Sequence, residues 1–124
     1  EESMKKTVPL KKNHEFIKAF KKGKFFVGKY IVLYALFNSL NLNRLGISVS
    51  KKIGKSVKRN RFRRLIRESY RELEDFVKVG FDIVFVARNS ETMPGLLEIK
   101  KEMKYLFKKL GIFDQEKWDC SKEV

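Results

Sequence analysis

A dense run of cations between residues 51 and 71 is the first feature of this sequence that could do chemistry. Ten lysines and arginines lie in this run, and Glu68 is its one acid. The ten are Lys51, Lys52, Lys55, Lys58, Arg59, Arg61, Arg63, Arg64, Arg67 and Arg71. Arginine forks bind phosphate oxygens in pairs, and lysine binds them as a point charge. The run therefore predicts a phosphate-binding surface.

Residues for hydrolytic catalysis are sparse. His14 is the only histidine, whereas a metal-independent ribonuclease commonly needs two acid–base groups near neutral pKa. Glu72, Glu74 and Asp75 lie near the end of a predicted helix and are interpreted as solvated carboxylates rather than metal ligands. Cys120 has no histidine near it in the sequence. We therefore expect no catalysis by this chain alone, and no metal site on it.

The composition indicates a polyanionic partner. The chain has 29 Lys+Arg against 15 Asp+Glu, a formal net charge of +14 over 124 residues, and nucleic acid is the first partner to consider. A hydrophobic share of 43% with 11 Phe favours a folded domain over a disordered basic tail. The single cysteine excludes an intramolecular disulfide framework and zinc sites built on paired cysteines.

Neither a membrane span nor a secretory signal is recognisable. The longest apolar run, residues 30–37, is too short to cross a bilayer, and no charged start leads into an apolar stretch. We therefore expect a cytoplasmic protein with no membrane partner. Residues 1–3 precede Met4 and are interpreted as residues left by an expression vector.

Hydrophobic periodicity and turn residues predict the element order αβββαβα. The elements are a short helix between Asn13 and Gly23, strands at 24–27, 30–37 and 44–50, a helix at 57–77, a strand at 81–87 and a helix at 96–110. Gly28 and Lys29 are expected to join the first two strands tightly. The predicted fold class is α+β, with one four-stranded sheet in a single domain at residues 10–113. Residues 1–9 are interpreted as an N-terminal extension and residues 114–124 as a poorly ordered tail.

The long helix has two contrasting faces when its residues are placed about 100° apart. One face should pack on the sheet and carries Phe62, Leu65, Ile66, Ser69, Leu73 and Phe76. The opposite face carries Asn60, Arg64, Arg67 and Arg71. A solvated helix face usually mixes charges of both signs at spacings of three and four residues, but this face has almost no acids. A membrane-surface helix fits less well, because the apolar face is needed in the core.

The first turns of this helix are crowded with the cations Lys58, Arg59 and Arg61. Unpaired amides already make that end of a helix positive, so each cation costs roughly 0.3–1 kcal/mol at low salt. A bound phosphate would reverse this penalty, because helix N-termini are natural anion sites. We interpret the unfavourable placement as a binding site.

Residues 44–68, RLGISVSKKIGKSVKRNRFRRLIRE, closely resemble the signature of the bacterial ribonuclease P protein family. The core Arg59-Asn60-Arg61, followed by Arg64-Leu65-Ile66-Arg67, is highly specific to that family. The similarity continues in order from residues 10–16 through 30–34 to Gly111, so it covers nearly the whole predicted domain.

This resemblance implies the protein subunit of ribonuclease P, the endonuclease that removes 5′ leaders from precursor transfer RNAs. In that family the RNA subunit and its bound Mg²⁺ perform the hydrolysis, so the catalytic groups are expected on the RNA. The implied partners are the catalytic RNA and precursor transfer RNA, and no protein partner is predicted. The family's sheet includes a left-handed βαβ crossover, which departs from a strong right-handed default.

The resemblance also assigns site residues. Contacts to the catalytic RNA are expected from Lys51, Lys52, Arg59, Asn60, Arg61, Arg64 and Arg67, to which the helical wheel adds Arg71. Leader binding is expected in a cleft between the first helix and the sheet, from Phe16, Phe20, Tyr34 and Ser48. Arg88, just after the last strand, is predicted to add a phosphate contact.

Two alternatives compete with this assignment. Spacing alone favours the core for Phe16 and Phe20, because aromatics four residues apart on a short helix usually pack inward. The resemblance instead places them where single-stranded bases stack on rings with little regard to sequence, and Tyr34 suits either environment. Charge and aromatics alone would also fit a ribosomal or general RNA-binding protein, against which the Arg59-Asn60-Arg61 signature discriminates.

Overall fold

The chain folds in the order βαβββαβαα, in a computed structural model that describes residues 6–122. The elements are β1 (Thr7–Pro9), α1 (Asn13–Lys22), β2 (Lys24–Val27), β3 (Ile31–Phe37), β4 (Asn43–Ser48), α2 (Ser56–Leu73), β5 (Phe81–Ala87), α3 (Leu96–Lys109) and α4 (Gln115–Ser121). The elements from α1 to α3 follow the predicted order. The interpretation of residues 1–3 lies outside the described residues. Among residues 6–122, no helix has the length and hydropathy of a membrane span.

The strands form one sheet in the order β1-β4-β5-β3-β2. β4 pairs in parallel with both β1 and β5, whereas β3 pairs antiparallel with both β5 and β2. The α+β class is confirmed. β4 and β5 are neighbours joined through α2, so the structure contains the strand–helix–strand unit whose handedness the resemblance predicts.

The prediction of four strands was wrong, because β1 adds a fifth strand at one edge. Three residues ending in proline offer too few alternating positions for periodicity to reveal. Contacts distant in sequence hold β1: Thr7 Oγ1 donates to Glu74 Oε2 at 2.6 Å and lies 2.8 Å from the Tyr70 hydroxyl. Burial raises the pKa of Tyr70 to about 12. Part of the expected N-terminal extension therefore belongs to the sheet.

The two faces of the sheet carry different helices. α2 and α3 pack together on one face, over a core that includes Ile31, Leu33, Leu45, Ile83 and Phe85. α1 lies on the other face, where Leu10, Ala19 and Val84 are buried together. Because side chains alternate along a strand, Tyr34 faces α1 while its neighbours face α3.

The predicted apolar face of α2 is confirmed. Phe62, Ile66, Ser69 and Leu73 are buried, and Leu65 and Phe76 pack against the same core. The helix ends earlier than the predicted residue 77, because the chain tightens into a 3₁₀ turn at Glu74–Phe76. This turn directs the Glu74 carboxylate towards β1.

The loop between β2 and β3 is wider than the expected tight turn. Val27 lies opposite Val32, so four residues separate the paired positions. Glu102 of α3 holds this loop by accepting three successive amide hydrogens. Its carboxylate oxygens lie 2.9, 2.8 and 2.8 Å from the amide nitrogens of Lys29, Tyr30 and Ile31. A residue from a distant helix thus holds the loop of this hairpin.

The expectation of a poorly ordered tail was wrong for residues 115–121, which form α4. Asp114 accepts the amide of Lys117 at 3.1 Å and so caps the helix. The Trp118 ring packs edge-on against Phe76 with centroids 5.0 Å apart, and the Lys104 ammonium lies 3.8 Å from its centroid. One aromatic anchor orders this helix, which is too short to show a clear amphipathic period.

Candidate nucleic-acid interface

The outer face of α2 is an open cationic surface. Its exposed residues are Asn60, Arg61, Arg64 and Arg67. Within residues 6–122, the side chains of Arg64 and Arg67 form no hydrogen bond or ion pair. A shallow groove here is lined by Asn60, Arg63, Arg64, Arg67, Glu68 and Arg71, which we call the arginine face. Its one acid, Glu68, lies 3.9 Å from Arg71, and Arg63 donates to Asn60 Oδ1 and to the Val49 carbonyl. The guanidinium donors of Arg64 and Arg67 are available to an anion.

The turn before α2 positions the other predicted cations. Lys51 and Lys52 are exposed in a 3₁₀ turn. Gly54 follows with a φ of 147°, a conformation that residues with a side chain rarely adopt. Arg59 braces this turn, since its Nε donates to the Gly54 carbonyl at 3.1 Å and its Nη2 to Ser56 Oγ at 3.2 Å. Arg59 is therefore partly used within the chain, whereas the two lysines are open.

The three predicted aromatics meet on the α1 face of the sheet. The Phe20 ring centroid lies 6.4 Å from that of Phe16 and 4.9 Å from that of Tyr34. Phe20 is 39% exposed, and the other two rings are half-buried. Packing against the sheet and contact with solvent therefore coexist in these residues.

The close approach of α1 to β4 depends on Gly46. A Cβ at this position would lie 2.6 Å from the Phe16 ring, so a larger residue would displace the helix. Ser48, two residues further along β4, faces the same side and is half-buried. It lies opposite Val86 of β5, which in turn lies opposite Val32 of β3.

Beside α1, one row of the sheet is left partly exposed, and we call this surface the trough. We define it by the row Ser48, Val86, Val32 and Val27 together with the rings of Phe16, Phe20 and Tyr34. Val27 ends this row on the edge strand β2 and is 49% exposed. The trough therefore opens to solvent at the β2 edge.

Arg88 lies just beyond the end of β5. The exposed side chain donates from Nη1 to the Gly28 carbonyl at 2.5 Å, and its amide donates to the Tyr30 carbonyl at 2.8 Å. Arg88 thus braces the loop between β2 and β3, and its phosphate contact remains a prediction.

An ion-pair cluster fixes α1 on the sheet. Arg44 of β4 pairs through Nη1 with Glu15 of α1, and its Nε and Nη2 donate to the two carboxylate oxygens of Asp82 at 2.7 Å each. The Asp82 side chain is only 4% exposed. Hydrogen bonding to Asp82 raises the pKa of Arg44, against the opposing effect of burial. The cluster holds α1 over one row of the sheet and leaves the row containing Ser48 open.

One groove joins the aromatic residues to the arginine face. Phe16, Gly46 and Ile47 line one side of it, and Arg63 and Arg67 line the other. Ring surfaces and guanidinium donors are thus neighbours although they belong to different faces of the sheet. A single extended ligand could contact both.

The candidate catalytic groups are not brought together. His14 is exposed, Glu72 accepts from Lys100 Nζ at 2.8 Å, and Glu74 is bonded to Thr7. Among residues 6–122, no three His, Cys, Asp or Glu side chains are grouped so as to hold a metal ion.

Two residues of this surface were not predicted. Phe25 of β2 stacks on Tyr34 with centroids 5.4 Å apart and an angle of 28° between the ring planes. Arg63, predicted only as one of the ten cations of the basic run, lines the groove beside Phe16. Alternation along the hairpin indicates the face on which Phe25 lies, but it does not identify Tyr34 as its neighbour.

A single-sheet α+β domain with a cationic helix face and an aromatic trough defines an RNA-binding protein that combines phosphate contacts with base stacking. The family described as Ribonuclease P matches residues 4–111. The ribonuclease P protein component of Clostridium kluyveri is 49% identical over 106 residues, which cover 84% of this chain and 95% of that protein. This chain belongs to the ribonuclease P protein family.

Solved structures agree with this assignment. The RNase P protein of Staphylococcus aureus has a TM-score of 0.72 at 31% identity, covering 85% of this chain and 96% of that one. The Thermotoga maritima protein has a TM-score of 0.74 at 30% identity, covering 82% and 96%. The resemblance of residues 44–68 is thus confirmed, and the ribosomal alternative gains no support. The family supplies the protein subunit of an endoribonuclease that acts in transfer RNA 5′ leader processing.

Proposed function

We propose that this chain binds the ribonuclease P RNA through the arginine face and holds the 5′ leader of precursor transfer RNA in the trough. The groove that joins Phe16 to Arg63 and Arg67 is the observation that carries this proposal. It makes phosphate donors and ring surfaces parts of one continuous site. A single strand that extends from an RNA bound to α2 can therefore reach the aromatic rings directly.

The arginine face suits a folded RNA. Arg64 and Arg67 point outward with their guanidinium groups unused by the described part of the chain. Each phosphate they neutralise releases condensed counterions, which favours binding at low salt. The residues proposed to contact the catalytic RNA are Lys51, Lys52, Arg59, Asn60, Arg61, Arg64, Arg67 and Arg71.

The trough suits a single strand of variable sequence. Each base that stacks on an aromatic ring contributes about 1–3 kcal/mol, nearly independently of its identity. Ser48 adds a hydroxyl that can donate to or accept from a base or a ribose. Arg88 is proposed to contact a phosphate of the same strand. These properties match a leader that differs from one precursor to another.

The protein's share of the reaction is binding and orientation. We infer that Mg²⁺ held by the RNA subunit supplies the hydrolytic chemistry, as the family implies. The protein would hold the leader in the trough and the catalytic RNA on α2. The two RNAs would then be oriented relative to each other before the reaction, which lowers its entropic cost. We place this activity in the cytoplasm, where precursor transfer RNA would be available to the assembled enzyme.

Reconstitution with a bacterial ribonuclease P RNA tests the proposal. We expect the chain to restore precursor cleavage at a Mg²⁺ concentration too low for the RNA alone. Replacing Phe16, Phe20 or Tyr34 with Ala should weaken binding of leader-bearing precursor by roughly fivefold or more, as expected for a lost stacking partner. Mature transfer RNA should be little affected.

Phe37→Ala provides the matched control, because Phe37 is 65% exposed and lies away from the trough, where it contacts Phe81. Binding of the catalytic RNA without any stimulation of cleavage would contradict the proposed role. Equal losses for precursor and mature transfer RNA would contradict a leader site in the trough.

A further inference from the structure

Phe25 is the most exposed ring of the aromatic cluster. It is 57% exposed although one side of it stacks on Tyr34, whereas Phe20 is 39% exposed. We propose that Phe25 forms a further nucleobase-stacking subsite for single-stranded RNA at the outer end of the trough. This inference rests on the proposed function, because it extends the path of the same leader.

The register of the sheet aligns the cluster along one path. Phe25 lies opposite Tyr34, Tyr34 opposite Val84, and Val84 opposite Gly46. The Phe16 ring sits directly over Gly46. From β4 to β2 this path crosses three strand spacings, or roughly 14 Å. That span accommodates more than one nucleotide, so Phe25 and Phe16 would meet different bases.

Folding does not account for the exposure of Phe25. β2 is an edge strand whose four residues are all exposed, and an apolar edge is an aggregation hazard that proteins usually blunt. A bound base would cover the outer ring face.

The position of Phe25 implies a dependence on leader length. The catalytic RNA is proposed to bind α2, beside the opposite end of the groove that contains Phe16. Nucleotides near the cleavage site would therefore meet Phe16 first, and only nucleotides further towards the 5′ end would reach β2. The binding affinity of precursors with short leaders should therefore not depend on Phe25.

The experiment uses the reconstituted holoenzyme and one precursor transfer RNA with leaders that increase one nucleotide at a time. Binding is measured for the original chain, Phe25→Ala, Phe25→Trp, Phe16→Ala and the control Phe37→Ala. We expect Phe25→Ala to weaken binding by about fivefold or more beyond a threshold leader length and to have no effect below it. Phe25→Trp should retain the long-leader affinity, because it keeps a stacking surface.

A fluorescent base analogue placed at successive leader positions identifies the contact. Its emission should be quenched by stacking at one position, and Phe25→Ala should restore emission there while Phe16→Ala affects a position nearer the cleavage site. A Phe25→Ala chain that behaves like Phe37→Ala at every length, while Phe16→Ala still loses affinity, would overturn this subsite alone. An equal loss at all lengths would also overturn it, since Phe25 would then act only by packing against Tyr34. If Phe16→Ala loses nothing either, the proposed function itself fails.

Discussion

Arginine serves opposite purposes in two regions of this molecule. Arg44 lies between Glu15 and Asp82 and gives its donors to carboxylates of the same chain. Arg64 and Arg67 project from α2 and form no ion pair with any residue between 6 and 122. The first arrangement fixes α1 on the sheet, and the second leaves charge for a partner. The difference teaches that the location of the neutralising carboxylate, not the residue type, separates a structural cation from a binding one.

Removing Arg44 should have the largest effect on stability. Arg44→Ala leaves the buried Asp82 carboxylate without its cation, and breaking such a pair typically costs about 3–5 kcal/mol. Denaturant unfolding of the free protein measures this loss. Arg44→Ala combined with Asp82→Asn should recover part of the stability. If Arg44→Ala keeps the stability of the original protein but reduces the salt dependence of RNA binding, then Arg44 lies in the RNA interface. The contrast between Arg44 and the arginines of α2 would then be wrong.

Tyr70, like Arg44, uses its polar group within the fold, although the Tyr70 side chain is neutral. Its pKa is raised from 10.0 to about 12 by burial, so the folded state holds the phenolic proton more tightly than the unfolded state. The associated stability is fully present below pH 10 and is lost as the pH rises to about 12. We expect a loss of the order of 2–3 kcal/mol in the free energy of unfolding across this window.

Unfolding measurements at a series of alkaline pH values test this expectation against Tyr70→Phe. The Phe variant lacks the ionisable hydroxyl, so its stability should fall less steeply over the same range. Parallel curves for the two proteins would assign the alkaline loss to other groups.

The smallest expected effect on folding comes from the arginine face. Arg64→Ala with Arg67→Ala should change the free energy of unfolding by no more than about 0.5 kcal/mol per site, because both side chains are exposed. The logarithmic salt dependence of binding to the catalytic RNA should instead become shallower by about one unit for each lost phosphate contact.

Lys101→Ala with Lys108→Ala removes the same charge from exposed positions on α3 and serves as the control. It should lower affinity only through the weaker overall field of the protein. A salt dependence that stays the same in the Arg64 and Arg67 variant, or falls equally in the control, would remove the distinction between the two kinds of arginine.

The sequence predicted α2 well because its information is local. Apolar and cationic residues recur with the helical period, so the buried positions of Phe62 and Ile66 and the exposure of Arg64 follow from spacing. The meeting of Phe16, Phe20 and Tyr34 was expected only from the family resemblance. Spacing alone favoured the core for the two phenylalanines.

Features that depend on distant residues were missed. β1 is too short to show alternation and is held by Tyr70 and Glu74. α4 depends on the packing of Trp118 against Phe76. The place of Phe25 beside Tyr34 depends on a hairpin register that a tight turn would have shifted by two residues. In each case the deciding partner lies far along the chain, beyond the reach of periodicity.

The carboxylate of Glu102 has a consequence for how this protein is made. Translation proceeds from the N-terminus, so every residue of the trough is synthesised before Glu102. Until α3 has left the ribosome, the Glu102 carboxylate cannot accept hydrogen bonds from the amides of Lys29, Tyr30 and Ile31. The surface proposed to receive the leader can therefore acquire its final geometry only near the end of synthesis. A nascent chain that ends before residue 102 would contain the residues of the trough but would lack the contacts that hold the loop between β2 and β3.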